Sequence, residues 1–180
     1  SYAESQKADV NAFVEAKPGT KLRFSLKPSY YEEKQTFEYD VDVKYTKIAD
    51  AFEPNDSRET AKRIEKNTSI NAYFFAGYDS KELGDYDDFY EIDLNAGKAT
   101  FKLEDVAEGY AKMNVLDEAG ESIEVEYAGT RGASVFLSDL AITKSGKHYV
   151  HVTLSGVDAE GDTTGVPPHF TKPYKLTVSQ

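Results

Sequence analysis

The chain contains no cysteine and only three histidines among 180 residues. Without cysteine there is no disulfide, no thiolate metal site and no cysteine nucleophile. Of the histidines, His148 and His151 are three apart on a strand-like segment, which sends them to opposite faces and keeps both from one zinc ion. A helical His-x-x-x-His pair, a Gly-x-Ser-x-Gly elbow, a glycine-rich phosphate loop after a strand and a basic aromatic patch are all missing from the sequence. No apolar run approaches the roughly 18 residues that cross a bilayer. Bases are in deficit, 21 against 32 acids for a net charge of -11, which repels a polyphosphate backbone and sets nucleic acid aside as a partner. Adjacent acids such as Asp87 and Asp88 read as solvated or metal-bound rather than as an acid/base pair, so no catalytic residues are expected.

What is present suits one well-cored globular domain, or one domain with an appended segment. Period-two alternation dominates. It is clearest in Phe37, Tyr39, Val41, Val43 and Tyr45, with Glu38, Asp40, Asp42 and Lys44 between them, a pattern that predicts a long strand with one buried face. Similar segments lie near 9–15, 21–27, 70–76, 88–94, 99–104, 110–116, 122–127, 133–138, 148–154 and 173–179. Turn chemistry separates them at Lys17-Pro18-Gly19-Thr20, Asn95-Ala96-Gly97, Glu118-Ala119-Gly120-Glu121 and Ser145-Gly146-Lys147. Many short strands at this spacing predict an all-β fold, an antiparallel, jelly-roll-like β-sandwich. One short helix is expected after Glu53-Pro54-Asn55-Asp56, capped by Asp56 with Glu59 three positions on and an apolar stripe of Ala61 and Ile64. The stretch from Ser155 to Pro173 reads as a long loop, and Asn67-Thr68-Ser69 matches the glycosylation acceptor pattern by chance.

Gly19 to Leu26 followed by Phe37 to Tyr45 echoes Gly146 to Leu154 followed by Tyr174 to Val178. Residues 1–47 are therefore read either as extra strands on the sandwich or as the tail of a preceding similar repeat, with the main domain at 48–180.

Two acidic clusters stand out, Glu53-Pro54-Asn55-Asp56 and Asp85-Tyr86-Asp87-Asp88, each beside a strand-like segment. Brought together they would form an oxygen-rich metal site; apart, Asp56 serves as a cap, Glu53 pairs with a base and Asp85 to Asp88 is a solvated turn.

From about Ala49 onward the sequence resembles the bacterial pre-peptidase C-terminal domain, which is related to the collagen-binding domains of clostridial collagenases. The matching features are Glu53-Pro54-Asn55-Asp56 leading to Ala61 and Ile64, then the Asp-rich run ending in Phe89-Tyr90-Glu91-Ile92-Asp93-Leu94. Further matches are Asn95-Ala96-Gly97, the run Gly146 to Val152, and Tyr174 to Val178. The resemblance implies a β-sandwich and, as in the calcium-binding relatives, a calcium site at Glu53, Asn55, Asp56, Asp85 and Asp88. Calcium takes six to eight oxygens, which carboxylates and an amide supply. Those relatives carry an acid two positions before the glutamate, where this chain has Ala51; Asp50 is expected to point away from the site along an extended chain. The relatives grip collagen with tyrosines near the C-terminus, and Tyr149-Val150-His151-Val152 lacks the second exposed tyrosine. Tyr30, Tyr31, Tyr78 and Tyr86 are the loop-like tyrosines singled out as weak partner-binding candidates.

The expected function is a secreted or cell-surface, non-catalytic accessory or adhesion module, calcium-stabilised, that binds an extracellular protein or polysaccharide. Ser1-Tyr2-Ala3-Glu4-Ser5 has the look of a trimmed mature start. The alternative is a protease-associated propeptide or inhibitor domain that docks on a catalytic partner.

Overall fold

The computed structural model describes residues 21, 23, 40–44, 46–74, 86–156 and 168–180. Asp50–Gln180 belongs to one compact unit, and Val14–Ala49 forms a second. Of the second unit the described residues are irregular, and Val41 and Val43 are exposed. The expected strand with one buried face is thus absent from its described part, 40–44. Alternation makes a strand only where a neighbouring edge and a covering layer exist. The first half of the internal echo falls largely, and the turn at Lys17 to Thr20 wholly, outside the described residues.

In the first unit the strands are β1 (Lys62–Arg63), β2 (Thr68–Ala72), β3 (Tyr86–Leu94), β4 (Gly97–Glu104), β5 (Tyr110–Leu116), β6 (Ser122–Tyr127), β7 (Val135–Ile142), β8 (Gly146–Ser155) and β9 (Tyr174–Ser179). They build a five-stranded sheet ordered β1-β3-β8-β5-β6 and a four-stranded sheet ordered β2-β9-β4-β7. All pairings are antiparallel except the short parallel contact of β1 with β3. This is the two-sheet sandwich that the alternation predicts. Gly97 and Gly146, in the predicted turns, adopt φ of 141° and 136°, conformations that side chains oppose.

Every second residue of each inner strand enters one core. Tyr90, Ile92 and Leu94 on β3 meet Val150, Val152 and Leu154 on β8 and Ala111, Met113 and Val115 on β5, facing Phe101, Leu103, Tyr174, Leu176 and Val178 from the other sheet. Burying one such aliphatic or aromatic side chain contributes about 1.5–3 kcal/mol, against about 0.5–1.5 kcal/mol for a typical hydrogen bond. The layer between the sheets therefore dominates cohesion.

The helix expected after Asp56 does not form. Thr60 Oγ1 accepts from Ser57 N and donates to Ser57 O, both at 3.1 Å, and Thr60 N donates to Ser57 O at 3.1 Å. Hydroxyls that satisfy the local backbone compete with a helical ladder. Ile64, expected on the helix stripe, instead donates its N–H to Glu91 O at 2.9 Å beside β3 and packs in the core. The one helix among the described residues is α1 (Pro168–Thr171), at the end of the segment expected to be loop.

Asn67 is no free acceptor. It sits at φ 62°, its Oδ1 accepts from Gln180 N at 3.0 Å and its Nδ2 donates to Gln180 O at 3.1 Å. Gln180 in turn brackets Asn95, whose N donates to Oε1 at 2.7 Å while Nε2 donates to Asn95 O at 2.6 Å. Two backbone turns are thereby tied to the end of β9. Asn67→Gly is expected to lose the two side-chain bonds only, at about 1 kcal/mol. Asn67→Ala adds left-handed backbone strain of about 1 kcal/mol. Urea unfolding of both variants checks the split, and an alanine variant as stable as the glycine one would remove the strain component.

Candidate metal centre

The Glu53–Asp56 segment is anchored to β3 by a single backbone bond, Phe89 N to Asn55 O at 2.7 Å. Phe89 points outward, so its neighbours Asp88 and Tyr90 point in, and Asp88 becomes an acid on the core-facing side of its strand, buried among apolar residues. Tyr174, on β9 of the opposite sheet, donates its hydroxyl to Asp88 Oδ2. Having one proton, Tyr174 must then accept from Tyr90, its other hydroxyl neighbour. Tyr90 in turn is hydrogen-bonded to the Asn55 side chain, which leaves the Asn55 NH2 to donate. The proton order Asn55 to Tyr90 to Tyr174 to Asp88 spends the Asn55 amide hydrogens inward. Asn55 Oδ1 is left buried with no partner on a residue only 1% exposed, and Glu53 Oε1 is likewise buried and unpartnered.

Four acids share this corner. Burial, then Asp56, then Asp50 push the Glu53 carboxyl up to about 7. Asp88 is held well above the usual carboxylate range, first by burial and then, against the Tyr174 hydrogen bond, by Glu53, Asp50 and Asp56. Lys62 eases Glu53, but only weakly against burial and the two aspartates. Asp50 corrects the expectation that it points away. The chain turns at Ala51–Phe52, with Asp50 Oδ1 accepting from Phe52 N at 2.7 Å and Oδ2 from Tyr73 N at 2.6 Å. Its charge is therefore felt at both Glu53 and Asp88.

The structure thus brings Glu53, Asn55, Asp56 and Asp88 into one electrostatic neighbourhood and adds Asp50, while Asp85 lies outside the described residues. Among the described residues no three His, Cys, Asp or Glu side chains converge as a ready metal cage. The fit to a cation rests instead on the two orphaned oxygens and the surrounding negative charge. Carboxylate and amide oxygens without nitrogen or sulfur match a hard ion such as calcium.

A second feature lies on the outer face of the five-stranded sheet. Tyr110 and Tyr127 are 45% and 61% exposed and, with Lys112, Thr153 and Ser155, line a groove of about 310 Å³. Beside it the His151 ring stacks on Phe89 at 4.1 Å and 7°, and His151 Nε2 lies 2.5 Å from Asp87 Oδ1. That hydrogen bond holds the Asp87 carboxyl below its usual range despite partial burial. Thr153, His151 and Asp87 do not form a nucleophile relay, because Thr153 Oγ1 and Asp87 Oδ1 meet the same imidazole nitrogen, at 3.1 and 2.5 Å; a relay needs one partner on each nitrogen. Of the tyrosines chosen from the sequence, Tyr30, Tyr31 and Tyr78 lie outside the described residues, and of Tyr86 only the backbone, in β3, is described. Nothing local in the sequence marks Tyr110 and Tyr127, because only the strand order, set by non-local pairing, shows which strand faces lie open.

Solved structures similar to this chain include the following two. The pre-peptidase C-terminal domain of collagenase from Bacillus anthracis is 20% identical, with 66% of this chain and 94% of that one covered and a TM-score of 0.44. CsCBM6-3 from Clostridium stercorarium in complex with cellobiose is 15% identical over the same shares, with a TM-score of 0.33. The first carries the name of the family that the sequence motifs resemble. No family model and no curated protein matches the chain.

Glu53 gives the metal-free protein a pH dependence of definite sign. Its folded value of about 7 exceeds its ordinary 4.5, so between those limits the folded state holds more protons than the unfolded state. Stability therefore falls as pH rises from about 4.5 to 7, then levels. Asp88 acts in the same sense, and His169, whose value burial lowers, acts in the opposite one. Urea midpoints in chelator at pH 5 and pH 7.5 are expected to show a smaller fall for Glu53→Gln than for the wild type. Equal falls would remove Glu53 from the account.

Proposed function

We propose that the chain is a non-catalytic, extracellular binding module whose Glu53–Asp56 corner takes up calcium and whose outer sheet face engages a protein or polysaccharide partner. The observation that carries the first half is the Asn55 carbonyl oxygen, buried and without a donor beside Glu53, Asp56, Asp50 and Asp88. A buried acceptor left unpaired costs about 1–3 kcal/mol, and crowded carboxylates add repulsion. One divalent cation offsets both. Glu53 and Asn55 would supply the inward oxygens, with Asp56 and Asp88 supplying charge. When bound, calcium provides positive charge and a coordination centre that holds the corner against β3. The chain's own Phe89–Asn55 bond and the Tyr90–Tyr174–Asp88 series keep the donors in place meanwhile.

The second half rests on the two exposed tyrosines and the groove that they line with Ala111, Ala128, Lys112, Thr153 and Ser155. Rings that present a face to solvent, flanked by hydroxyl, ammonium and carboxylate groups, make an amphipathic surface suited to a partner with mixed apolar and hydrogen-bonding character. Among the described residues no helix is long and apolar enough to cross a membrane.

Thermal melting separates the two halves. Calcium that binds only the folded state adds about 2.7 kcal/mol at a hundredfold excess over Kd. For a chain of this size that is a rise in Tm on the order of 5–10 °C. Asn55→Ala and Asp88→Asn are expected to abolish the rise, and an unchanged wild-type midpoint between millimolar calcium and chelator would sink the site. Co-sedimentation with a panel of insoluble polysaccharides and fibrous matrix proteins tests the face. Retention is expected to drop at least tenfold in a Tyr110→Ala, Tyr127→Ala double variant whose Tm is unaltered, consistent with loss of about 1.4 kcal/mol or more. Retention by no member of the panel would overturn the partner reading.

A further inference from the structure

Arg58 follows Asp56 by two residues and lies in the Ser57–Thr60 turn, and its side chain leaves that turn for a distant part of the chain. Its Nη1 donates to Ala119 O at 2.5 Å, in the turn between β5 and β6. Its guanidinium carbon stands 5.9 Å from the ring centre of Tyr149, an outward-facing residue of β8 opposite Glu91 on β3 and Leu116 on β5. The segment starts beside β3, where Asn55 O holds Phe89 N. To reach the β5–β6 turn it must pass over β3 and β8, at about 4.8 Å per strand. The loop therefore folds across the outer face.

Its landing place is shaped for it. Gly120 has φ 90°, and a Cβ there would fall 1.7 Å from Arg58 Nη1, so the guanidinium occupies the volume a side chain would need. The turn is internally braced, with Gly120 N donating to Asp117 O at 3.0 Å and Glu121 N to Asp117 Oδ1 at 2.9 Å. It also carries Asp117, Glu118 and Glu121, a charge environment complementary to arginine. Tyr149, although outward-facing, is only 9% exposed.

We infer that Arg58 is a strap that couples the Glu53–Asp56 corner to the outer sheet face. With the corner ordered, Arg58 covers Tyr149 and locks the β5–β6 turn; with the corner loosened, the strap lifts, Tyr149 is uncovered and the turn opens. The coupling rests on the proposed calcium site only for its natural input. Any change that loosens Asn55 reaches the same strap.

Residue-resolved amide hydrogen exchange on the 180-residue chain tests this, with Val152 in the core as a control for global stability. In the wild type, calcium is expected to slow exchange at Gly120 and Glu121 roughly tenfold, the factor set by one charge-assisted hydrogen bond. Asn55→Ala is expected to speed it by a similar factor, beyond any change at Val152. In Arg58→Ala these two amides exchange fast from the start and respond neither to calcium nor to Asn55→Ala. Arg58→Lys keeps the charge without the planar fork and restores part of the protection. Equal responses with and without Arg58, or no response of the turn to Asn55→Ala in the wild type, would overturn the strap. If calcium moves no resonance at 53–56 while Asn55→Ala still opens the turn through Arg58, the calcium reading falls and the strap stands.

Discussion

The structure turns on an acid that faces the core. Asp88 occupies an inward position of β3 because Tyr90, Ile92 and Leu94 hold the register, and a one-residue slip would expose all three. The cost of that buried carboxyl is met from the opposite sheet, by the Tyr174 hydroxyl. The two sheets are therefore joined by a polar contact as well as by apolar packing. Because Tyr174 gives its only proton to Asp88, the remaining donors line up behind it, through Tyr90 to Asn55. The unpartnered oxygen at Asn55 follows from that order. A single inward carboxylate thus fixes the direction of every proton in the series and leaves the Asn55 oxygen unpartnered among acids.

Much of this architecture is visible in the alternation of the sequence. The inward set of β3, the strands β4, β5, β6, β8 and β9, and the glycine turns at Gly97 and Gly146 all follow from period two and turn chemistry. The failures share a cause. Asp56, Glu59, Ala61 and Ile64 satisfy helix grammar, but Ser57 and Thr60 close a tighter turn and β3 offers Ile64 a backbone acceptor, so non-local pairing overrides local propensity. Val41 and Val43 alternate as well as any core strand, yet their described backbone is irregular and exposed.

The corner is legible in its residues but not in its geometry. Ala51 stands where relatives have an acid, and an extended chain would turn Asp50 away. Asp50 instead accepts the N–H two residues on, the self-bonding habit that makes aspartate a turn former. That local signal was available in Asp50-Ala51-Phe52. By contrast, the contact of Arg58 with Ala119 spans 61 residues, and nothing local marks it.

Corner and face are commonly thought of as separate parts of a sandwich, one for stability and one for recognition. Here the six residues Glu53–Arg58 reach from one to the other. Asn55 is held by β3, Glu53 and Asp56 add charge to the corner, and Arg58 carries the opposite charge away from it, across the sheet to an acidic turn. One arginine thus ties the segment of the acidic corner to the turn between β5 and β6 while covering the Tyr149 ring on the way.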